Sequence, residues 1–198
     1  MADSGSAPAV PPDPGSAPAV PDPGSAPAVP PDLRSAPAPR VDPAVDHVRG
    51  PAAAPLVVLY ADFECPHCAA LHARLHALAL RICFRHFPVR ASHPRAWPAA
   101  QAAEAAALQG RFWEMHDALF ADPARLEDPH LWERARALGL DVERFDADRR
   151  SDAVVARVRT DFHGGVRAGV VTTPTAFRAA SGGALEPIDR EGLLALGA

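Results

Sequence analysis

The chain has 198 residues, a formal net charge of -4 and no lysine, its positive charge being arginine dispersed along its length. That length suits one domain plus a tail, at about 100–200 residues per domain, and dispersed arginine without a basic patch speaks against a nucleic-acid partner. No stretch approaches the ~18 apolar residues of a membrane span, and Met1-Ala2-Asp3-Ser4-Gly5-Ser6 lacks the basic start and apolar run of a secretory signal, so a cytoplasmic location is expected.

The unit Gly-Ser-Ala-Pro-Ala-Val-Pro begins at Gly5, Gly15 and Gly24 and decays into Ser35-Ala36-Pro37-Ala38-Pro39. Repeats so dense in Pro and Ala, with no large apolar side chain, cannot bury enough surface to offset chain entropy. Residues 1–40 are therefore expected to be a disordered tail with polyproline II character, and a linker rather than a docking motif.

From Val41 onward the texture is that of a folded domain, expected over 41–198. Leu56-Val57-Val58-Leu59-Tyr60 is a continuous β-prone run, the pattern of a strand buried on both faces. Cys68, Leu71, Leu75 and Leu78 then recur at helical spacing, which predicts a helix from Pro66 to about Leu80. A strand over 82–87 ended by Pro88 completes a βαβ unit. The middle third reads as four helical pieces: Pro98 to Gln109, a stripe of Phe112, Met115 and Leu119, a segment opened by Asp128-Pro129, and a long stripe through Val158, Phe162 and Val166. Between the last two, Asp141 can cap a short turn holding Phe145. Strand signals return at Thr175 to Arg178 and near Leu185 to Ile188, across a Ser181-Gly182-Gly183 turn, and a helix from Glu191 closes the chain. The expected fold class is α/β, βαβ then ββα, with a helical subdomain inserted at about 92–168.

Cys65-Pro66-His67-Cys68 sits where the buried strand hands over to the helix. The first cysteine is then at a helix N-terminus, where free N–H groups and the helix dipole favour a thiolate and bring its pKa below the free value of about 8.5. Cys65 is expected to be the nucleophile. Cys68, one turn in and on the apolar stripe, is expected to stay protonated and resolve the mixed disulfide. Pro66 suits the first helical turn, and His67 can place an imidazolium near the Cys65 sulfur. A stabilised thiolate favours the reduced form, which argues for an oxidant or isomerase over a strong reductant.

Four motifs occur together in this order: Asp62-Phe63-Glu64-Cys65-Pro66-His67-Cys68, Arg85-His86-Phe87-Pro88, Gln109-Gly110-Arg111-Phe112-Trp113-Glu114-Met115-His116-Asp117-Ala118-Leu119-Phe120, and Gly169-Val170-Val171-Thr172-Thr173-Pro174-Thr175. In them the chain resembles the bacterial DsbA-like thioredoxin-fold disulfide oxidoreductases, over everything after Val45. The resemblance implies a thioredoxin fold and implies that Pro174 is a cis-proline facing the redox pair, with Thr173 offering backbone edges to a substrate peptide. It further implies dithiol/disulfide exchange with protein or small-molecule thiol substrates and a redox partner, by a monomer whose only cofactor is the Cys65/Cys68 pair. After the proline the family continues into an aromatic-rich strand and an Asn-Gly turn, whereas this chain has Thr175-Ala176-Phe177-Arg178-Ala179-Ala180-Ser181-Gly182.

Other residues have blander expectations. Asp62 and Glu64 read as solvated carboxylates, and His72 and His76 as helix-surface residues. Cys65, Cys68 and His72 fall at i, i+3 and i+7, but no fourth ligand is evident and no metal is assigned. Cys83 should be a buried small hydrophobe facing away from Ile82 and Phe84. Trp97, Trp113 and Trp132 should pack in the core, with groove lining as the alternative, and His86, His93, His116, His130 and His163 share no spacing. The competing function is a redox-inert binding or regulatory module, since DsbA-like domains are also found attached to sodium/proton antiporters. A glutathione-dependent enzyme of the same fold would carry Ser at position 65.

Overall fold

A computed structural model describes residue 38 and residues 40–197. The repeats of the expected tail lie outside the described residues. Within them, five strands form one mixed sheet in the order β1-β3-β2-β4-β5. These are β1 (His47–Arg49), β2 (Leu56–Ala61), β3 (Arg81–His86), β4 (Thr175–Ala179) and β5 (Leu185–Ile188). β2 runs parallel to β3 with Val58 opposite Cys83, and antiparallel to β4 with Val58 opposite Phe177. The apolar run of β2 thus takes the centre, as a strand with two buried faces must.

Alternation along β2 and β3 divides the core in two. Val57, Leu59, Ala61, Ile82 and Phe84 face one side, and Val58, Tyr60 and Cys83 the other, so Cys83 does lie opposite in sense to its neighbours. The first side is covered by α1 (Pro66–Leu75), α2 (Ala96–Ala107), α3 (Phe112–Ala121), α4 (Asp128–Ala137), α5 (Val142–Arg149) and α7 (Arg190–Leu196). The second is covered by α6 (Asp152–Arg167), whose Phe162 and Val166 meet Phe87 and Tyr60. Gly165 permits that approach: a Cβ there would stand 2.6 Å from the Phe87 ring and 3.0 Å from Tyr60.

Several boundaries differ from the periodicity. α1 ends at Leu75, not Leu80, because the chain must turn back for Arg81 to donate to the Pro55 carbonyl and open β3. Ala77 to Leu80 carry no stop signal of their own. The turn expected after Asp141 is a full helix, α5, and Asp141 accepts from the Arg144 N–H as its cap. That makes five helices between β3 and β4 where four were expected. α4 starts one residue early, with Glu127 rather than Asp128 in the cap position. β1 was not foreseen, because His-Val-Arg has no strand signature; it is held by contacts from elsewhere. The His47 ring stacks on Phe112 at 3.4 Å and bonds to Glu104, and Arg49 forks onto Asp117.

A buried ion pair sits at the far end of β3. Arg85 donates to both Asp46 oxygens, to the Tyr60 hydroxyl and to the Arg40 carbonyl. Arg40 and Ala38, the described end of the expected tail, thus touch the folded domain. No helix among the described residues is long and apolar enough to cross a membrane.

Candidate active site

β2 ends at Ala61, and the next residues turn the chain into α1. Asp62 makes that turn rigid. Its Oδ1 accepts from the Glu64 N–H and its Oδ2 from the Val89 N–H, while His93 lies 2.8 Å from Oδ2. The carboxylate is buried, contrary to its expected solvation, since its three partners replace the water that it gives up. Glu64 accepts from the Arg95 N–H at 2.6 Å and so ties the same turn to the start of α2.

Cys65 is the N-cap of α1 in extended conformation (φ −76°, ψ 118°), followed by Pro66 in the first turn. A proline there forfeits no helical hydrogen bond. The Cys65 thiol is held down at about 5, first by a hydrogen bond from Cys68, then by those from Thr173 and from the Cys68 and His67 backbone; burial opposes them. These backbone donors are the unpaired amides of a helix N-terminus. The His67 contribution comes from its backbone N–H, and its side chain is exposed. Cys68 is buried on the α1 stripe with Leu71 and Leu75, and burial pushes its thiol well above the usual range. All three cysteines are present as thiols.

The Cys65 sulfur lies 3.5 Å from the carbonyl oxygen of Thr173, and the Thr173–Pro174 peptide is cis. Thr173 is buried, whereas Val171, two residues before it, is 88% exposed. Every sequence-predicted site residue, Cys65, Pro66, His67, Cys68, Thr173 and Pro174, therefore falls in one neighbourhood. Beside it runs a groove of about 250 Å³ between α1, Pro174 and α7, lined by His67, Leu71, Pro174, Ile188 and Leu193 among others. A second, larger groove passes Phe87, Trp97, Phe162 and Val171. Trp97 thus lines a groove, with the Arg90 guanidinium over its ring, while Trp113 and Trp132 pack half-buried against the core.

Sequence reasoning also missed how the histidines are used. His86 and His47 both lie 2.8 Å from the buried Glu104, whose carboxyl they hold low against the opposing effect of burial. His72 and His76 meet His116 and Asp117 across the α1–α3 interface. Nothing in the local sequence signals either cluster, because each joins separate elements.

Residues 43–179 match the family model described as Thioredoxin. Among solved structures, a thioredoxin-like oxidoreductase from Silicibacter pomeroyi superposes with a TM-score of 0.66 at 24% identity, covering 78% of this chain and 91% of that one. DsbA2 from Pseudomonas aeruginosa gives 0.59 at 25% identity, covering 76% and 92%. The thiol-disulfide exchange protein alpha-DsbA2 from Wolbachia pipientis gives 0.63 at 18%, covering 75% and 82%. Curated relatives of higher identity carry a different name. The Na(+)/H(+) antiporter NhaA 1 of Mycolicibacterium gilvum is 43% identical over 146 residues, and NhaA of Herminiimonas arsenicoxydans is 45% identical over 146. The match takes in 69% and 70% of this chain but only 24% and 23% of those proteins, so the chain spans about a quarter of their length. The chain belongs to the thioredoxin family, and its fold matches those of DsbA-like structures.

Proposed function

We propose that this protein is a thiol:disulfide oxidoreductase that cycles Cys65 and Cys68 between dithiol and disulfide. The observation that carries the reading is the Cys65 sulfur, which sits at the mouth of α1 with its pKa held down at about 5 by the buried Cys68 thiol and the helix amides. At neutral pH such a sulfur is ionised and nucleophilic.

In the reducing direction the Cys65 thiolate attacks one sulfur of a substrate disulfide, forming a mixed disulfide and releasing the first substrate thiolate. Cys68 gives up its proton and attacks the Cys65 sulfur. The Cys65–Cys68 disulfide forms, the second substrate thiolate leaves, and two electrons have passed to the substrate. In the oxidising direction each step reverses. Stabilising the Cys65 thiolate favours the dithiol, which places the pair toward the oxidising end of the scale and makes dithiol oxidation or isomerisation the favoured task. The redox group is this cysteine pair and no other.

Pro66 keeps the first turn of α1 open to the sulfur, and the His67 N–H adds to its stabilisation. Thr173 and Pro174 border the sulfur and offer a backbone edge to a substrate peptide, while the groove between α1 and α7 takes an apolar side chain. Protein or small-molecule thiols are the substrates; in the favoured oxidising direction the reduced Cys65/Cys68 pair passes its two electrons to the disulfide of a redox partner, and in the reducing direction a partner dithiol supplies them.

The test compares this chain with Cys65→Ser in reduction of insulin disulfides and in oxidation of a dithiol peptide. Activity lost in the variant supports the reading; equal rates overturn it. A second reading, a redox-inert regulatory module, is favoured by the antiporter names of the curated relatives. Under it the native chain shows no turnover in either assay.

A further inference from the structure

The end of α1 remote from Cys65 carries a side-chain constellation that thiol chemistry does not use. His72 lies in the last turn of α1 and His76 is its C-cap, still in helical conformation, so the two rings project from the same face. Their Nε2 atoms are 3.0 Å apart. Both point at Asp117 of α3, whose Oδ1 is 3.6 Å from each and 2.8 Å from Nδ1 of His116. The ligating atoms of His72, His116 and Asp117 all fall within 4.8 Å of one another.

We propose that His72, His76, His116 and Asp117 form a binding site for a zinc-class divalent cation, bridging α1 to α3. Four ligands at about 2.0–2.1 Å around a tetrahedral ion stand about 3.3 Å from one another. Four of the six edges measure 2.8 to 3.6 Å, and the His72–His116 edge is no longer than 4.8 Å. Two imidazoles at i and i+4 supply two vertices from one rigid helix, and the α3 pair supplies the others.

The surroundings fit a held ion. His116 is buried, His72 nearly so, and His76 and Asp117 are 48% and 36% exposed at the side chain, on the side where Arg49 Nη2 stands 3.5 Å from His76 Nε2. Phe120 stacks on the His72 ring at 4.8 Å and fixes its plane. Arg49 reaches Asp117 Oδ1 and Oδ2 at 2.9 and 2.8 Å, and its guanidinium lies 4.4 Å over Trp113. That arginine orients the carboxylate and neutralises it. What remains is an imidazole-dominated site of little negative charge, which suits zinc or copper(II) and not calcium or magnesium, whose sites are built of oxygen.

Cysteine thiolates also bind zinc, so the test uses the full-length, tag-free chain carrying Cys65→Ser and Cys68→Ser. Calorimetric titration with Zn²⁺ should show one equivalent bound, and Co²⁺ should give tetrahedral visible bands without thiolate charge transfer. His76→Ala should weaken Zn²⁺ by about 10-fold or more, and His72→Ala with His76→Ala should abolish binding, with Ca²⁺ and Mg²⁺ giving no heat. His76 is half exposed, so the single variant reads the site even if the double variant fails to fold. No uptake by the chain lacking the Cys65 and Cys68 thiols, or uptake indifferent to His76→Ala, overturns the proposal. The outcome is independent of whether Cys65 is redox active.

Discussion

The Cys65 thiol lies 3.5 Å from the backbone carbonyl of Thr173, a contact made across 108 residues of chain. It brings the end of β2, the start of α1 and the entry to β4 to one point.

The ionisation of Cys65 should be readable directly. Thiolate absorbance or iodoacetamide reactivity should titrate near pH 5, the value at which the site holds that sulfur, and the signal should be absent in Cys65→Ser. A midpoint near the free cysteine value of about 8.5 removes the basis for the proposed chemistry.

Folding stability follows from the same shift. The Cys65 pKa is lower in the folded dithiol protein than in the unfolded chain, so this group adds stability that is complete above about pH 8.5 and is lost as pH falls through 5. Guanidinium unfolding of the reduced protein should thus gain on Cys65→Ser as pH rises across that window. A constant difference contradicts the lowered pKa.

Cys68 supplies the largest single stabilisation of the Cys65 thiolate. Cys68→Ala should move the Cys65 midpoint upward toward its ordinary value. It should also leave mixed disulfides unresolved, visible by mass spectrometry as covalent adducts of the chain with a model disulfide.

The core tolerates no added methyl at Gly165, where a Cβ would press on Phe87 and Tyr60. Alanine gains about 1 kcal/mol in helix propensity there, but overpacking costs about 1–3 kcal/mol. Urea denaturation of Gly165→Ala should show net destabilisation; a neutral or stabilised variant would mean that the Phe87 ring yields freely.

Two ion pairs in the same sheet should behave differently. Arg85 and Asp46 are about 95% buried at the side chain, so Asp46→Ala removes the carboxylate from a buried ion pair and should cost about 3–5 kcal/mol. Arg178 and Glu186 are half exposed, and Glu186→Gln should cost no more than about 1 kcal/mol. Equal losses in chemical denaturation would refute the assignment of cost to burial.

Much of this architecture is legible along the chain because it is written in local periodicity. The unbroken run Leu56 to Tyr60 marks the central strand, the spacing of Cys68, Leu71 and Leu75 marks the buried face of α1, and the cysteine at their junction gains acidity from the Cys68 thiol and the helix N-terminus. Family resemblance added the Thr173–Pro174 step, which no spacing in the chain ties to Cys65.

The three-dimensional packing decided the rest. β1 has no strand signal and exists because His47 and Arg49 find Phe112, Glu104 and Asp117 on distant helices. Asp62 reads as a solvated carboxylate until the chain brings Val89 and His93 to it. The three histidines around Asp117 come from α1 with its C-cap and from α3, whose contact neither helix encodes alone. Periodicity tells which face of an element is buried, because burial repeats with the helix or strand. It does not tell what that face meets, since partners far apart in the chain leave no regular trace in either segment.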